Sequence, residues 1–148
     1  MIKNKVLIRN INTNDYDKLR DIYYKIRTEE FPWSNHISLS DFDDSTQDEV
    51  IFTALIDDKI VGFVSVWVED KFIHNLFVSK EYRKYGVGKA LINQVLLTFG
   101  TPLTLKCIKE NYNAVNFYLS NGWKIEKEDI CVEGAYYLMS YNKKCNEN

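Results

Sequence analysis

The run from Leu76 to Leu91 is where the residue types of this chain are arranged for chemistry. It reads Leu-Phe-Val-Ser-Lys-Glu-Tyr-Arg-Lys-Tyr-Gly-Val-Gly-Lys-Ala-Leu. A strand ends, a short basic loop follows, and a helix starts at Gly86 and Gly88. This construction suits a polyanion. The first-turn N–H groups of a helix are free and sit at the positive end of its dipole. A glycine has no Cβ, so a diphosphate can approach its backbone. Successive loop amides can form a nest for phosphate oxygens. Two other phosphate loops are excluded: no Gly-Lys-Ser/Thr occurs here, and the third glycine of Gly-x-Gly-x-x-Gly is missing. On spacing alone, an ordinary glycine-started helix beside a solvated basic loop reads equally well.

The surrounding elements have to hold that run in place. Val6, Leu7, Ile8 and Ile11 mark a first strand. Thr13-Asn14-Asp15 offers helix caps, and Leu19, Ile22, Tyr23 and Ile26 follow at helical spacing, so a helix is expected over roughly 15–28. Phe31-Pro32-Trp33-Ser34-Asn35 breaks it. A polar stretch to Asp48 leaves room for one short helix around Ser40 to Asp44. Val50 to Ile56 and Ile60 to Val68 flank Asp57-Asp58-Lys59 as a hairpin. Glu69-Asp70-Lys71 turns the chain into a further strand, Phe72 to Val78. Gly86 to Phe99 is an amphipathic helix with Gly100 as its stop. Leu103 to Ile108 is a strand, and Asn111 to Ser120 a helix ended by Asn121-Gly122. Trp123 to Val132 and Ala135 to Tyr141 are the last strands, before a polar tail, Asn142 to Asn148. No internal repeat interrupts the order. Such mixed order predicts one domain over 1–148, of α/β or α+β class, with its core at about 5–141 and helices on the sheet faces.

Two blocks resemble the GNAT superfamily of acetyl-CoA-dependent N-acetyltransferases. Arg83-Lys84-Tyr85-Gly86-Val87-Gly88 fits every fixed position of its Gln/Arg-x-x-Gly-x-Gly/Ala signature, and Leu76-Phe77-Val78 is similar to the family's fourth strand. Asn111-Tyr112-Asn113-Ala114, then Phe117-Tyr118, then Asn121-Gly122-Trp123, resembles its second block, in the same order and at a typical distance. The resemblance implies a central, mostly antiparallel sheet of about seven strands with helices on both faces. It implies that acetyl-CoA is the co-substrate, with no metal. The backbone amides of Arg83, Lys84, Tyr85, Gly86, Val87, Gly88 and Lys89 would then hold the diphosphate, with Lys84 and Lys89 near the outer phosphates. Phe77 and Val78 would pair with the pantetheine arm, beside a bulge in the fourth strand, and Asn111 would contact the cofactor.

The same resemblance makes Tyr118 the candidate general acid. Seven residues after Asn111 on one helix, it shares that residue's face, and its hydroxyl could protonate or hydrogen-bond the departing thiolate. Packing between helix and sheet is the competing role. The base is open. His74, on the fourth strand before the expected bulge, is of the side-chain type that ordinarily exchanges a proton near neutral pH, although a lone strand histidine is more often structural. Glu69, Glu29 and Glu30 could act through water. Where one branch of the family has a glutamate base, five residues before the asparagine, this chain has Lys106. The acceptor pocket would draw on Phe31, Pro32 and Trp33, on Glu133-Gly134, and on Trp67 and Phe72 as aromatic walls. The acids from Asp41 to Asp48 could attract a cationic acceptor.

Composition narrows the classes. The chain has 148 residues, 45% hydrophobic and 14% aromatic, enough for one core without staples. Its 19 basic and 21 acidic residues leave a formal charge of −2, which argues against nucleic acid and anionic membrane as partners. Cys107, Cys131 and Cys145 are odd in number and widely spaced, and with His36 and His74 they make neither a disulfide set nor a zinc site. No signal peptide or membrane span is evident, so a soluble cytoplasmic protein is expected. Its partner would be a small-molecule or protein amine. Monomer and homodimer are both open, and a non-catalytic acyl-CoA-binding module remains the alternative to an enzyme.

Overall fold

The computed structural model describes residues 5–30 and 37–143. The expectations for Phe31, Pro32 and Trp33 lie outside the described residues. Strand β1 (Val6–Asn10) leads through a 3-10 turn (Thr13–Asp15) into helix α1 (Tyr16–Glu30), and a short helix α2 (Asp41–Ser45) follows. Then come β2 (Val50–Ile56), β3 (Lys59–Trp67), a 3-10 turn (Val68–Asp70) and β4 (Phe72–Val78). A 3-10 helix (Lys80–Tyr85) precedes α3 (Val87–Phe99), and β5 (Leu103–Ile108), α4 (Tyr112–Ser120), β6 (Lys124–Cys131) and β7 (Gly134–Tyr141) complete the order.

The start of α1 shows how local chemistry sets an element. Asp15 accepts from the Asn12 amide at 2.8 Å and from the Arg9 guanidinium at 2.6 and 3.1 Å. Asp15 is buried, yet the Arg9 guanidinium holds its carboxyl below the usual carboxylate range against the opposing effect of burial. The side chain thus satisfies an amide of the entering turn and ties β1 to α1. Leu19, Ile22, Tyr23 and Ile26 then recur on one face, and all four are buried.

One sheet of seven strands runs in the order β1-β2-β3-β4-β5-β7-β6. Every neighbouring pair is antiparallel except β4 with β5. Helices cover both faces. On one, α1 and Phe42 of α2 pack on Ile51, Phe63 and Phe77. On the other, Val87, Leu91 and Val95 of α3 and Val115 of α4 pack on Val64, Ile73, Leu105 and Met139. Each fully buried aliphatic side chain contributes about 1.5–3 kcal/mol. The expected fold class therefore holds.

Two departures matter for the site. The expected loop before α3 is a 3-10 helix, whose amides bond carbonyls three residues back. Free N–H groups are consequently concentrated at Gly86 to Lys89. The second departure is a close approach: a Cβ at Gly62 would lie 2.6 Å from the Phe77 carbonyl oxygen and 3.3 Å from Val78 Cα. Only glycine lets β3 approach the end of β4 this tightly.

Candidate functional site

Strands β4 and β5 part almost as soon as they meet. They pair only at Phe72 with Thr104 and Ile73 with Leu105. The register of β3 with β4 explains why. Ser65 faces Asn75, but Val66 faces Ile73, which makes His74 the extra residue of a β-bulge. Ile73 and Leu76 pack into the same core cluster although three positions separate them, which regular alternation forbids. The bulge absorbs the extra residue and turns β4 away from β5. His74 was expected before the bulge; the structure places it in the bulge itself.

A cleft of about 380 Å³ opens where the strands diverge, and it reaches both faces of the sheet. From the α4 side, Asn111, Ala114 and Tyr118 line it, together with Leu105 and Cys107. From the α1 side come Tyr23, Arg27, Phe72, His74, Lys106 and Tyr136, with Glu133 from the β6–β7 turn. Arg27 pairs with Glu133 at 2.7 Å, so α1 and that turn are tied across one end of the cleft.

Each side chain is held by its element. Asn111 is the N-cap of α4 and accepts from the Ala114 amide at 3.4 Å, which leaves its amide nitrogen as a donor. Tyr118 packs edge-on against Trp123 at 5.6 Å and Phe117 at 5.3 Å. Burial, and then the proximity of Cys107, hold the Tyr118 phenol well above its ordinary range, so the hydroxyl is neutral, as a tyrosine is at pH 7 in any case. Among the described residues no hydrogen bond engages that hydroxyl. Burial pushes the Cys107 thiol up to about 11, which keeps it a neutral thiol rather than a nucleophile. His74 Nδ1 lies 2.8 Å from the Glu49 carboxylate, and the Phe72 ring stands beside the imidazole at 6.2 Å.

The anion end is built by the step from β4 into α3. Gly86 caps α3 with φ of 77°, a left-handed conformation that favours glycine, and a Cβ there would meet nothing within 4 Å. The first amide bonded within α3 is that of Ala90, to the Gly86 carbonyl at 3.0 Å. The amides of Val87, Gly88 and Lys89 precede it at the positive helix end, with the Phe117 ring 3.2 Å from where a Gly88 Cβ would stand. Donors without an intrahelical partner beside an open Gly86 fit a diphosphate. Val87 itself is buried in the core, whereas Tyr85 and Lys84 are exposed.

Side-chain contacts place the other expected residues. The Arg83 guanidinium donates to both Glu30 oxygens at 2.5 and 2.8 Å and to the Val78 carbonyl at 2.9 Å. Glu30 is therefore engaged, and Glu29 and Glu69 do not line the cleft. Trp67 pairs with Phe72 across the strands but does not line the cleft; Phe72 does. Phe77 lines the cleft but is also stacked on Tyr23 at 5.0 Å. Val78 packs against the α3-side core at the end of β4. The acids of α2 face elsewhere, Asp43 pairing with Arg20 at 2.8 Å. A second depression of about 450 Å³, beside α1 and Lys80 to Tyr82, is lined by charges of both signs and holds neither Tyr118 nor His74. Glu49, Arg27 and Tyr136 are absent from the sequence-based site, and Tyr23 enters the sequence reading only as an apolar position of the first helix. They carry no motif, and only the sheet order brings them to the cleft.

Comparison with known proteins bears on the arrangement. A family model described as the acetyltransferase (GNAT) family matches residues 16–123. The chain is 36% identical over 69 residues to the peptidyl-lysine N-acetyltransferase YiaC of Escherichia coli (strain K12), a match covering 47% of this chain and 46% of that protein. The match thus spans about half the length of that relative. Among solved structures, a GCN5-related N-acetyltransferase from Rhodopseudomonas palustris aligns with a TM-score of 0.76 at 20% identity, over 97% of this chain and 99% of that one. The PaiA N-acetyltransferase of Thermoplasma acidophilum, solved with coenzyme A, aligns with a TM-score of 0.74 at 16% identity, over 94% and 99%. At those identities the likeness is one of fold.

Proposed function

This chain belongs to the GNAT acetyltransferase family, and from that premise we propose that it transfers the acetyl group of acetyl-CoA to a primary amine. The observation that carries the reading is the parting of β4 and β5 after two pairings, with Tyr118 on one side of the opening and His74 on the other. A ligand entering from the α4 side and an amine entering from the α1 side would meet in that opening. The edge of β4 that faces the opening, where Phe77 lines the cleft, would run alongside the amide-bearing pantetheine arm. The amides of Gly86 to Lys89 take the diphosphate, and Asn111 offers a side-chain donor. The curated relative is named for action on peptidyl-lysine, so a lysine side chain of a polypeptide is the first acceptor to try.

The chemistry needs orientation above all. His74 takes a proton from the amine as nitrogen bonds to the acetyl carbon. Tyr118 gives its proton to the sulfur as the carbon–sulfur bond breaks and regains one from solvent, to which His74 releases the proton it took. A neutral amine and the thioester thus become an amide and a free thiol, with protons balanced.

Release of free thiol from acetyl-CoA, measured with a lysine-containing peptide and with small amines such as a polyamine, tests the reading. Amine-dependent release is expected. Acetyl-CoA binding without release towards any amine would replace the enzyme by the acyl-CoA-binding module.

A further inference from the structure

Glu49 immediately precedes β2 and is remote from every motif in the chain. Its side chain is 5% exposed. One carboxylate oxygen lies 2.8 Å from His74 Nδ1, and the other is enclosed with no hydrogen-bond partner among the described residues. Burying an ionisable group with half its acceptors unmet is costly. A purely structural position would be served better by an apolar side chain of the same size. His74, by contrast, is 42% exposed and lines the cleft.

We propose that Glu49 is the positioning residue for His74, orienting the imidazole and setting its tautomer so that Nε2 faces the amine as proton acceptor. The proposal rests on the reading of His74 as the base. Neutral imidazole carries one N–H, and the partner of one nitrogen decides the state of the other. A carboxylate at Nδ1 requires the hydrogen there, which leaves the Nε2 lone pair free. When Nε2 takes the amine proton, the resulting imidazolium lies against a carboxylate already in place, so no reorganisation is needed at that moment. The bulge supplies the other half of the device. It takes His74 out of strand pairing and turns its ring to the side where Glu49 lies.

Four proteins test this: the parent, Glu49→Met, Glu49→Gln and His74→Gln, each assayed with acetyl-CoA and a lysine-containing peptide. The chain has two histidines, so imidazole nitrogen NMR is tractable, and His74→Gln assigns the signals. The parent should show His74 with its hydrogen on Nδ1, and Glu49→Met should shift it towards Nε2. In Glu49→Met and Glu49→Gln, kcat should fall by about tenfold or more, up to the ~10²–10⁴-fold typical of losing a general base outright, at unchanged KM for acetyl-CoA. The melting temperature of Glu49→Met should be equal to or above the parent's, an outcome opposite to that of a structural carboxylate. A parent His74 protonated on Nε2, or a Glu49→Met kcat within threefold of the parent while His74→Gln is impaired, would overturn the positioning role and leave the base. Full activity in His74→Gln would instead overturn the base, and the proposal with it.

Discussion

Tyr118 combines two properties that usually exclude each other. Its ring belongs to the core, yet the residue lines a cleft. The burial that packs the ring also holds the phenol above its ordinary range, which makes it a weaker acid, so packing and proton donation are in tension. Tyr118→Phe separates them, because phenylalanine keeps the edge-on contacts with Phe117 and Trp123. We expect kcat to fall near the low end of the ~10²–10⁴-fold range for an acid, since a thiol of ordinary pKa about 8.5 already leaves fairly well. Acetyl-CoA affinity should hold. Steady-state kinetics together with calorimetry decide it: a kcat within threefold of the parent would make Tyr118 a packing residue alone. That Tyr118 and Asn111 share a cleft was readable from their spacing of seven on one helix. The carboxylate beside His74 was not readable, since 25 residues separate the pair and no periodicity links them.

At the scale of elements, the junction from β4 into α3 is the part on which binding should depend. Gly86 serves it through its left-handed φ and through the open space where a Cβ would project. A Cβ at 86 would meet no protein atom within 4 Å, so the effects of Gly86→Val divide cleanly. Backbone strain should lower stability by roughly 1–2 kcal/mol, and the branched side chain should occupy the space before the α3 amides. We expect Gly86→Val to remain folded by circular dichroism and to lose micromolar-range acetyl-CoA binding by calorimetry; unchanged affinity would remove the diphosphate from this helix end. Most element positions were legible in the letters: the ranges of β2, β4 and β5 coincide with the apolar runs. The 3-10 helix at Lys80–Tyr85 was not, because its residues carry no apolar period and the contact of Arg83 with Glu30 of α1 joins positions 53 residues apart.

For the molecule as a whole, Asp15 couples β1, α1 and β2, through Arg9, the Asn12 amide and a longer contact of 3.5 Å from Thr53. The Arg9 guanidinium lowers its pKa. A lowered carboxyl binds fewer protons in the folded chain than in the unfolded one, so stability rises with pH across that interval. The contribution is complete above about pH 4, the ordinary carboxylate value, and is lost as pH falls through the lowered folded value. Asp15→Asn should therefore cost about 1–3 kcal/mol at pH 7. Its deficit against the parent should shrink in urea melts at pH 3. A deficit independent of pH would mean that the side chain works only through shape.

Local pattern was enough for the element order, the glycine-started helix and the pairing of Asn111 with Tyr118, because each depends on residues within one or two turns of one another. It also carried the resemblance to a family that the match over residues 16–123 bears out. Sheet order and register decided the rest. They place β5 beside β4 across an intervening helix, put the extra residue of β4 at His74, and bring Arg27 to Glu133 and Glu49 to His74. Those contacts join positions far apart in the chain, and a single sequence holds no local signal for which distant backbone will lie alongside which.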